Sequence, residues 1–137
     1  MKPLSSFFRV CTVLACCAGT ALAVDSAILT KPPADTWPTY HGDYSGRRHS
    51  ALTQITPRNA GQLTLAWAFQ TGQNAAIKSS PLVVDGVMYF TVPDNVWAID
   101  ARSGQQIWHY TYPANKGLHI GHRGLGMYKD WLFFLTP

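Results

Sequence analysis

Glutamate is absent from the 137 residues and all seven acidic side chains are Asp, so no Glu-dependent acid/base pair can be assembled. Cysteine is scarce: Cys11, Cys16 and Cys17 are the three in the chain. All fall within residues 1–23, which read as a secretory signal. Lys2 and Arg9 supply the basic region, Val10 to Ala18 are mostly apolar, and Ala21-Leu22-Ala23 fits an A-x-A cleavage site; Val13-Leu14-Ala15-Cys16 is a looser, lipoprotein-type alternative. Cleavage after Ala23 removes every cysteine, which excludes a disulfide-stapled domain and a Cys-ligated zinc or iron–sulfur site. The apolar stretch is too short to remain as a membrane anchor. Charge is low as well, at 13% of residues. Removing Lys2 and Arg9 lowers the formal net charge from +4 to +2, and the other basic residues are scattered, so a nucleic-acid partner is not expected.

What remains is apolar enough, at 49 of 114 residues or 43%, to fold as at most one ordinary domain. Residues 24–36, with Pro32 and Pro33, read as an extended leader. Trp37 to Gly46 mixes aromatics with turn formers and reads as a packed loop rather than a ligand site. Thr56-Pro57 opens one short helical turn ending near Gly61. Beyond it the period becomes two: Leu63, Leu65, Trp67 and Phe69 share one face of a half-buried strand. Pro81 to Val84 and Val87 to Phe90 flank Asp85-Gly86, a two-residue hairpin signal. Val96 to Ile99 and Ile107 to Tyr112 complete an antiparallel meander of four strands, and Trp131 to Leu135 forms another strand after a loop rich in Gly and His. One such four-strand unit in about 45 residues is the spacing of a propeller blade, whereas a closed propeller needs roughly four to eight blades. The chain is expected to supply only part of a ring.

Three stretches carry a family resemblance: Gln54-Ile55-Thr56-Pro57 with Asn59; Ser80 to Tyr89 with Pro93 to Asp100; and the glycine turn and trailing tryptophan of Ala98-Ile99-Asp100-Ala101-Arg102-Ser103-Gly104-Gln105-Gln106-Ile107-Trp108. Together they resemble the N-terminal part of the periplasmic quinoprotein alcohol dehydrogenases of the methanol/ethanol type, which use pyrroloquinoline quinone (PQQ). The last stretch is similar to that family's tryptophan-docking repeat, which stitches neighbouring blades together. The resemblance implies an all-β chain in which residues 37–137 form the closing strand, first blade and start of the second blade of an eight-bladed β-propeller. It implies PQQ and calcium on the ring axis, oxidation of a small primary alcohol to an aldehyde, a cytochrome c or similar electron acceptor, and a periplasmic location. Leu63 to Gln70 would pair with the last blade. The calcium ligands and the catalytic Asp come from later blades in that family, so this chain by itself is expected to be inactive.

The resemblance also assigns two cofactor contacts. Arg123 stands where the family presents an arginine to PQQ, a tricarboxylate with an ortho-quinone, which a guanidinium suits through its several fixed donors. Lys78 stands where many relatives place a glutamate; it reads equally as a cofactor contact and as an ordinary loop lysine. Gly117-Leu118 takes the place of a vicinal cysteine pair, which points to a variant subfamily. His119 and His122 have metal-ligand spacing without further Cys or Glu partners, and read as hydrogen-bonding packers. Gly72 to Ser79 misses a phosphate loop because Ile77 replaces its second glycine. The rival function is a non-catalytic propeller scaffold for protein interactions built on the same repeat; a short remnant of a decayed gene is a third reading.

Overall fold

The computed structural model describes residues 26–113 and 123–136. The signal segment, Gly117-Leu118, His119 and His122 lie outside the described residues. Six strands and two short helical elements are present among those described. The centre is a sheet of β1 (Leu82–Val84), β2 (Val87–Val92), β3 (Asn95–Asp100) and β4 (Gln106–Thr111), antiparallel throughout and in chain order. A smaller sheet pairs β5 (Gly126–Tyr128) with β6 (Trp131–Phe133).

The hairpins follow from their turn residues. Asp85 and Gly86 both have positive φ, +51° and +75°, the conformation a two-residue turn needs to match the twist of its strands. The pairs Val84↔Val87 and Leu82↔Tyr89 follow from that turn. Between β2 and β3, Pro93 sets the first turn position and Asp94 takes φ +59°, closing Val92 onto Asn95. The β3–β4 register shifts at Ala98/Ile99, where a bulge lets Ile99 face Gln106.

Strand β3 is buried from Asn95 to Ile99, which requires cover on both sheet faces. On one face Phe90, Val92, Trp97 and Ile99 form a cluster against which Trp67, Phe69 and Met88 pack. On the other, Leu82, Val96 and Leu125 cluster with Tyr89, Met127, Leu132 and Phe134, so β5–β6 is the second cover. Trp97, 2% exposed, stacks between Phe90 at 5.4 Å and the His109 ring at 4.3 Å, while Phe69 meets it edge-on. Strand β4 forms the open edge, exposed along its length.

The face carrying Trp97 is locked by a tryptophan over a glycine. Asp100 accepts hydrogen bonds at Oδ1 from the backbone N–H of Arg102 and of Ser103 and from the Ser103 hydroxyl, which shapes the turn ending at Gly104. Gly104 has φ +71°, and a Cβ there would lie 2.6 Å from the Trp67 ring. The indole Nε1–H donates to the Ala101 carbonyl at 3.2 Å. Glycine is required here twice over, for its backbone and for the ring that rests on it.

The structure departs from the sequence reading at four points. The leader is not extended throughout: Ser26–Thr30 is helical (α1), with Leu29 buried against Val84 beside Ile28 and Met127, because an apolar pair one residue apart can cover the sheet rim. The helical turn after Thr56 is a 3₁₀ element at Ala60–Gln62, preceded by Asn59 Oδ1 accepting from the Thr56 N–H and hydroxyl. Leu63 to Gln70, whose expected partner is a blade outside this chain, does not bury its four apolar side chains alike: Trp67 and Phe69 face the blade, whereas Leu63 and Leu65 are exposed. Finally, β5 lies in the segment read as loop, and its partner β6 ends at Phe133 rather than Leu135.

Two outcomes are expected for the full-length protein. Gly104→Ala combines a positive-φ penalty with a clash against Trp67, and a loss of about 2–4 kcal/mol in chemical denaturation is expected. Asp100 has its pKa lowered, first by the Ser103 backbone hydrogen bond and then by the Ser103 hydroxyl. A depressed folded-state pKa stabilises above the unfolded value, and that contribution disappears as pH falls through the folded one. Thermal melts below about pH 4 are therefore expected to show a shallower acid dependence for Asp100→Asn than for wild type.

Candidate functional site

The residues singled out from sequence lie on loops leading into the first strand of each sheet. Lys78 sits four positions before β1 and Arg123 three before β5; both are exposed. Main-chain contacts bring the two loops together. The Ser80 N–H donates to the Arg123 carbonyl at 3.0 Å. Next to it, Gly124 has φ +134°, and a Cβ there would stand 3.0 Å from the Ser80 carbonyl oxygen, so only glycine allows this approach without displacement. On the other side, the Ser79 hydroxyl donates to the Thr91 carbonyl at 2.8 Å and accepts from the Thr91 N–H at 3.1 Å, pinning the Lys78 loop to β2.

A third segment joins them. Trp37 pairs with Val83 through both backbone hydrogen bonds, at 2.6 and 2.9 Å, and so runs along the free edge of β1. Gly42 turns the chain with φ +90°, its Cα so close over the Trp37 indole that a Cβ would lie 3.0 Å from the ring. This fold-back puts half-buried Tyr40 beside Ser80. Arg48 then returns across it: its Cζ lies 4.6 Å from the Tyr40 ring centroid, and its Nε–H donates to His41 Nδ1 at 2.9 Å. Arg48 has φ +54°, a conformation that costs a side-chain-bearing residue about 1–3 kcal/mol and persists only where surroundings hold it. Trp37, Tyr40, Arg48, Ser80, Pro81 and Val83 line an open cleft of about 300 Å³.

The electrostatics are cationic. Tyr40 has its pKa lowered, foremost by the hydrogen bond from Arg48 and then by the Arg48 charge; the Arg123 charge and the Ser80 hydroxyl act in the same direction. Arg47 pairs with Asp43 at 3.8 Å; among the described residues neither Arg48 nor Arg123 takes part in an ion pair of this kind. A guanidinium over Tyr40, with a second arginine charge in electrostatic reach of the same phenol, forms a surface suited to a carboxylate-bearing ligand. No group of three or more His, Cys, Asp or Glu side chains among the described residues is placed to hold a metal ion.

The structure thus places the Lys78 and Arg123 loops side by side and adds Tyr40 and Arg48, which the sequence reading treated as part of a packing loop. The available signal was the short stretch holding Tyr40-His41 and Arg47-Arg48, but only the fold-back at Gly42 shows that it reaches the other loops.

The family model described as the β-propeller domain of PQQ glucose/ethanol/alcohol dehydrogenases matches residues 37–131. The 1-butanol dehydrogenase (cytochrome c) of Thauera butanivorans is 38% identical over 104 residues, which cover 71% of this chain and 15% of that protein. The solved quinohemoprotein alcohol dehydrogenase ADHIIG of Pseudomonas putida HK5 superposes with a TM-score of 0.74 at 33% identity, over 80% of this chain and 17% of that one. A europium-containing methanol dehydrogenase superposes with a TM-score of 0.71 at 29% identity, over 80% of this chain and 21% of that one. The chain therefore spans about a fifth or less of the length of these relatives.

Removing the Arg48 cation is expected to return Tyr40 toward ordinary tyrosine acidity. In Arg48→Gln, the Tyr40 resonance followed by NMR should titrate at a higher pH than in wild type; an unchanged midpoint would show that Arg48 does not govern this phenol.

Proposed function

The chain belongs to the PQQ-dependent glucose/ethanol/alcohol dehydrogenase β-propeller family, and on that premise we propose that it forms the opening arc of a periplasmic quinoprotein that oxidises small primary alcohols to aldehydes. PQQ, when bound, supplies the two-electron acceptor for that oxidation. In this reading the remaining blades bring the calcium ligands and the proton acceptor, a cytochrome c or similar protein takes the electrons, and residues 1–23 direct export. The 137-residue chain alone is inactive.

One observation carries this reading: two loops that begin successive sheets, each bearing a cation predicted to meet the cofactor, are tied by the Ser80–Arg123 main-chain bond. The donor set fits the ligand. PQQ carries three carboxylates, and Arg123 and Lys78 place positive charge on the two adjoining loops. Arg123 provides directional donors to a carboxylate or quinone oxygen, and Lys78 provides a compact charge in the adjacent loop. The glutamate common at the Lys78 position in relatives would repel a carboxylate, so the lysine supports binding in an altered mode.

Equilibrium titration of the calcium-supplemented, full-length apoprotein with PQQ tests the proposal, followed by dye-linked alcohol oxidation. Wild type is expected to bind and turn over. Arg123→Gln is expected to weaken binding about tenfold or more, the scale of a hydrogen bond to a charged group; Lys78→Gln should weaken it less, because a flexible ammonium gives less directional bonding. A folded full-length protein that does not bind PQQ would refute the reading in favour of a non-catalytic scaffold.

A further inference from the structure

Tyr40 has no role in the assignment above, yet its ring is held on two sides beside Ser80, the residue that bonds the Arg123 carbonyl. Its backbone position is set by the Trp37–Val83 pairing, by buried Pro38 and by the Gly42 turn over the Trp37 ring. The ring is clasped on one side by His41, edge-on at 4.8 Å, and on another by the Arg48 guanidinium at 4.6 Å. The phenol end faces the cleft shared with Ser80, and the Ser80 N–H holds the Arg123 carbonyl.

We propose that Tyr40 is a positioning residue for Arg123: fixed by Arg48 and adjoining Ser80, its oxygen presents negative potential to the Arg123 guanidinium and orients it toward an anionic cofactor. This inference rests on the reading of the protein as a PQQ enzyme. The physical argument is one of matched polarity. Arg48 and Arg123 are like charges that both act on the Tyr40 phenol. A neutral phenol oxygen within reach of both relieves part of their mutual repulsion, and unlike a carboxylate it does not consume the bidentate donor edge that Arg123 needs for its ligand. The lowered pKa of Tyr40, to which the Arg123 charge contributes, agrees with their being within electrostatic reach.

A double-mutant cycle on PQQ affinity decides it. The full-length apoprotein with calcium present would be titrated as wild type, Tyr40→Phe, Arg123→Gln and the double variant, with thermal melts alongside. Tyr40→Phe is expected to weaken PQQ binding about fivefold to tenfold in the wild-type background and less than about twofold in the Arg123→Gln background, because a residue that acts through Arg123 loses its effect once Arg123 is gone. Arg48→Gln keeps the phenol but removes the guanidinium that fixes it, and serves as the second variant if Tyr40→Phe does not fold. It is expected to weaken binding by about threefold and likewise to be silent without Arg123. Equal losses in both backgrounds, or no loss when Arg123→Gln itself weakens binding, would overturn the positioning role alone. Failure of the wild type to bind PQQ would overturn the cofactor reading and this inference with it.

Discussion

Everything in this chain follows from the need to cover both faces of one four-stranded sheet. Strand β3 is buried along five consecutive residues, and a strand in that condition cannot exist in a sheet with a wet side. One cover is an extended segment from earlier in the chain, Trp67 and Phe69; the other is the β5–β6 hairpin from later in it. Neither cover is a complete layer. Leu65 is 83% exposed and Trp131 69% exposed, as expected for surfaces whose own partners lie in adjoining blades of a ring. Trp97, by contrast, needs no neighbouring blade, because Phe69, Phe90 and His109 already enclose it.

That layering also builds the candidate site. Once β5 is laid against the blade face, the loop entering it is carried to the loop entering β1, and the Ser80–Arg123 hydrogen bond closes the contact. The Trp37 segment then occupies the edge of β1 that would otherwise present unpaired backbone groups. The same packing that protects hydrophobic surface thus gathers Lys78, Ser80, Arg123, Tyr40 and Arg48 at one end of the sheet.

Much of the sheet was legible in the sequence, because its turns have specific chemistry. Asp85-Gly86 and Pro93-Asp94 demand particular backbone angles, and the apolar runs between them have strand length. The glycine turn at 101–104 was legible as part of a tryptophan-docking repeat, although the ring that rests on Gly104 is Trp67, from the segment upstream. Other features escaped for physical reasons. Alternation at Leu63 to Gln70 marks side chains that share a face, but not how far along the segment that face is covered: Trp67 and Phe69 pack on the blade while Leu63 and Leu65 are exposed. Strand β5 is three residues long and begins with glycine, too short for any period to register. The helical turn at Ser26–Thr30 is held by tertiary contact of Leu29, not by local propensity. At the site, Arg123 and Lys78 are assigned through resemblance alone, and the structure adds that their loops adjoin. Tyr40 and Arg48 were missed because their meaning depends on a fold-back made by Gly42, which no linear pattern encodes.

The junction between residues 80 and 123 is made by peptide groups and a glycine, not by side chains. A jig built from main chain keeps its shape whichever residues are mounted on it. Evolution can therefore exchange the groups that project from positions 78 and 123, acid for base or one cation for another, without redrawing the frame that aims them. The frame itself therefore does not depend on which side chains stand at positions 78 and 123.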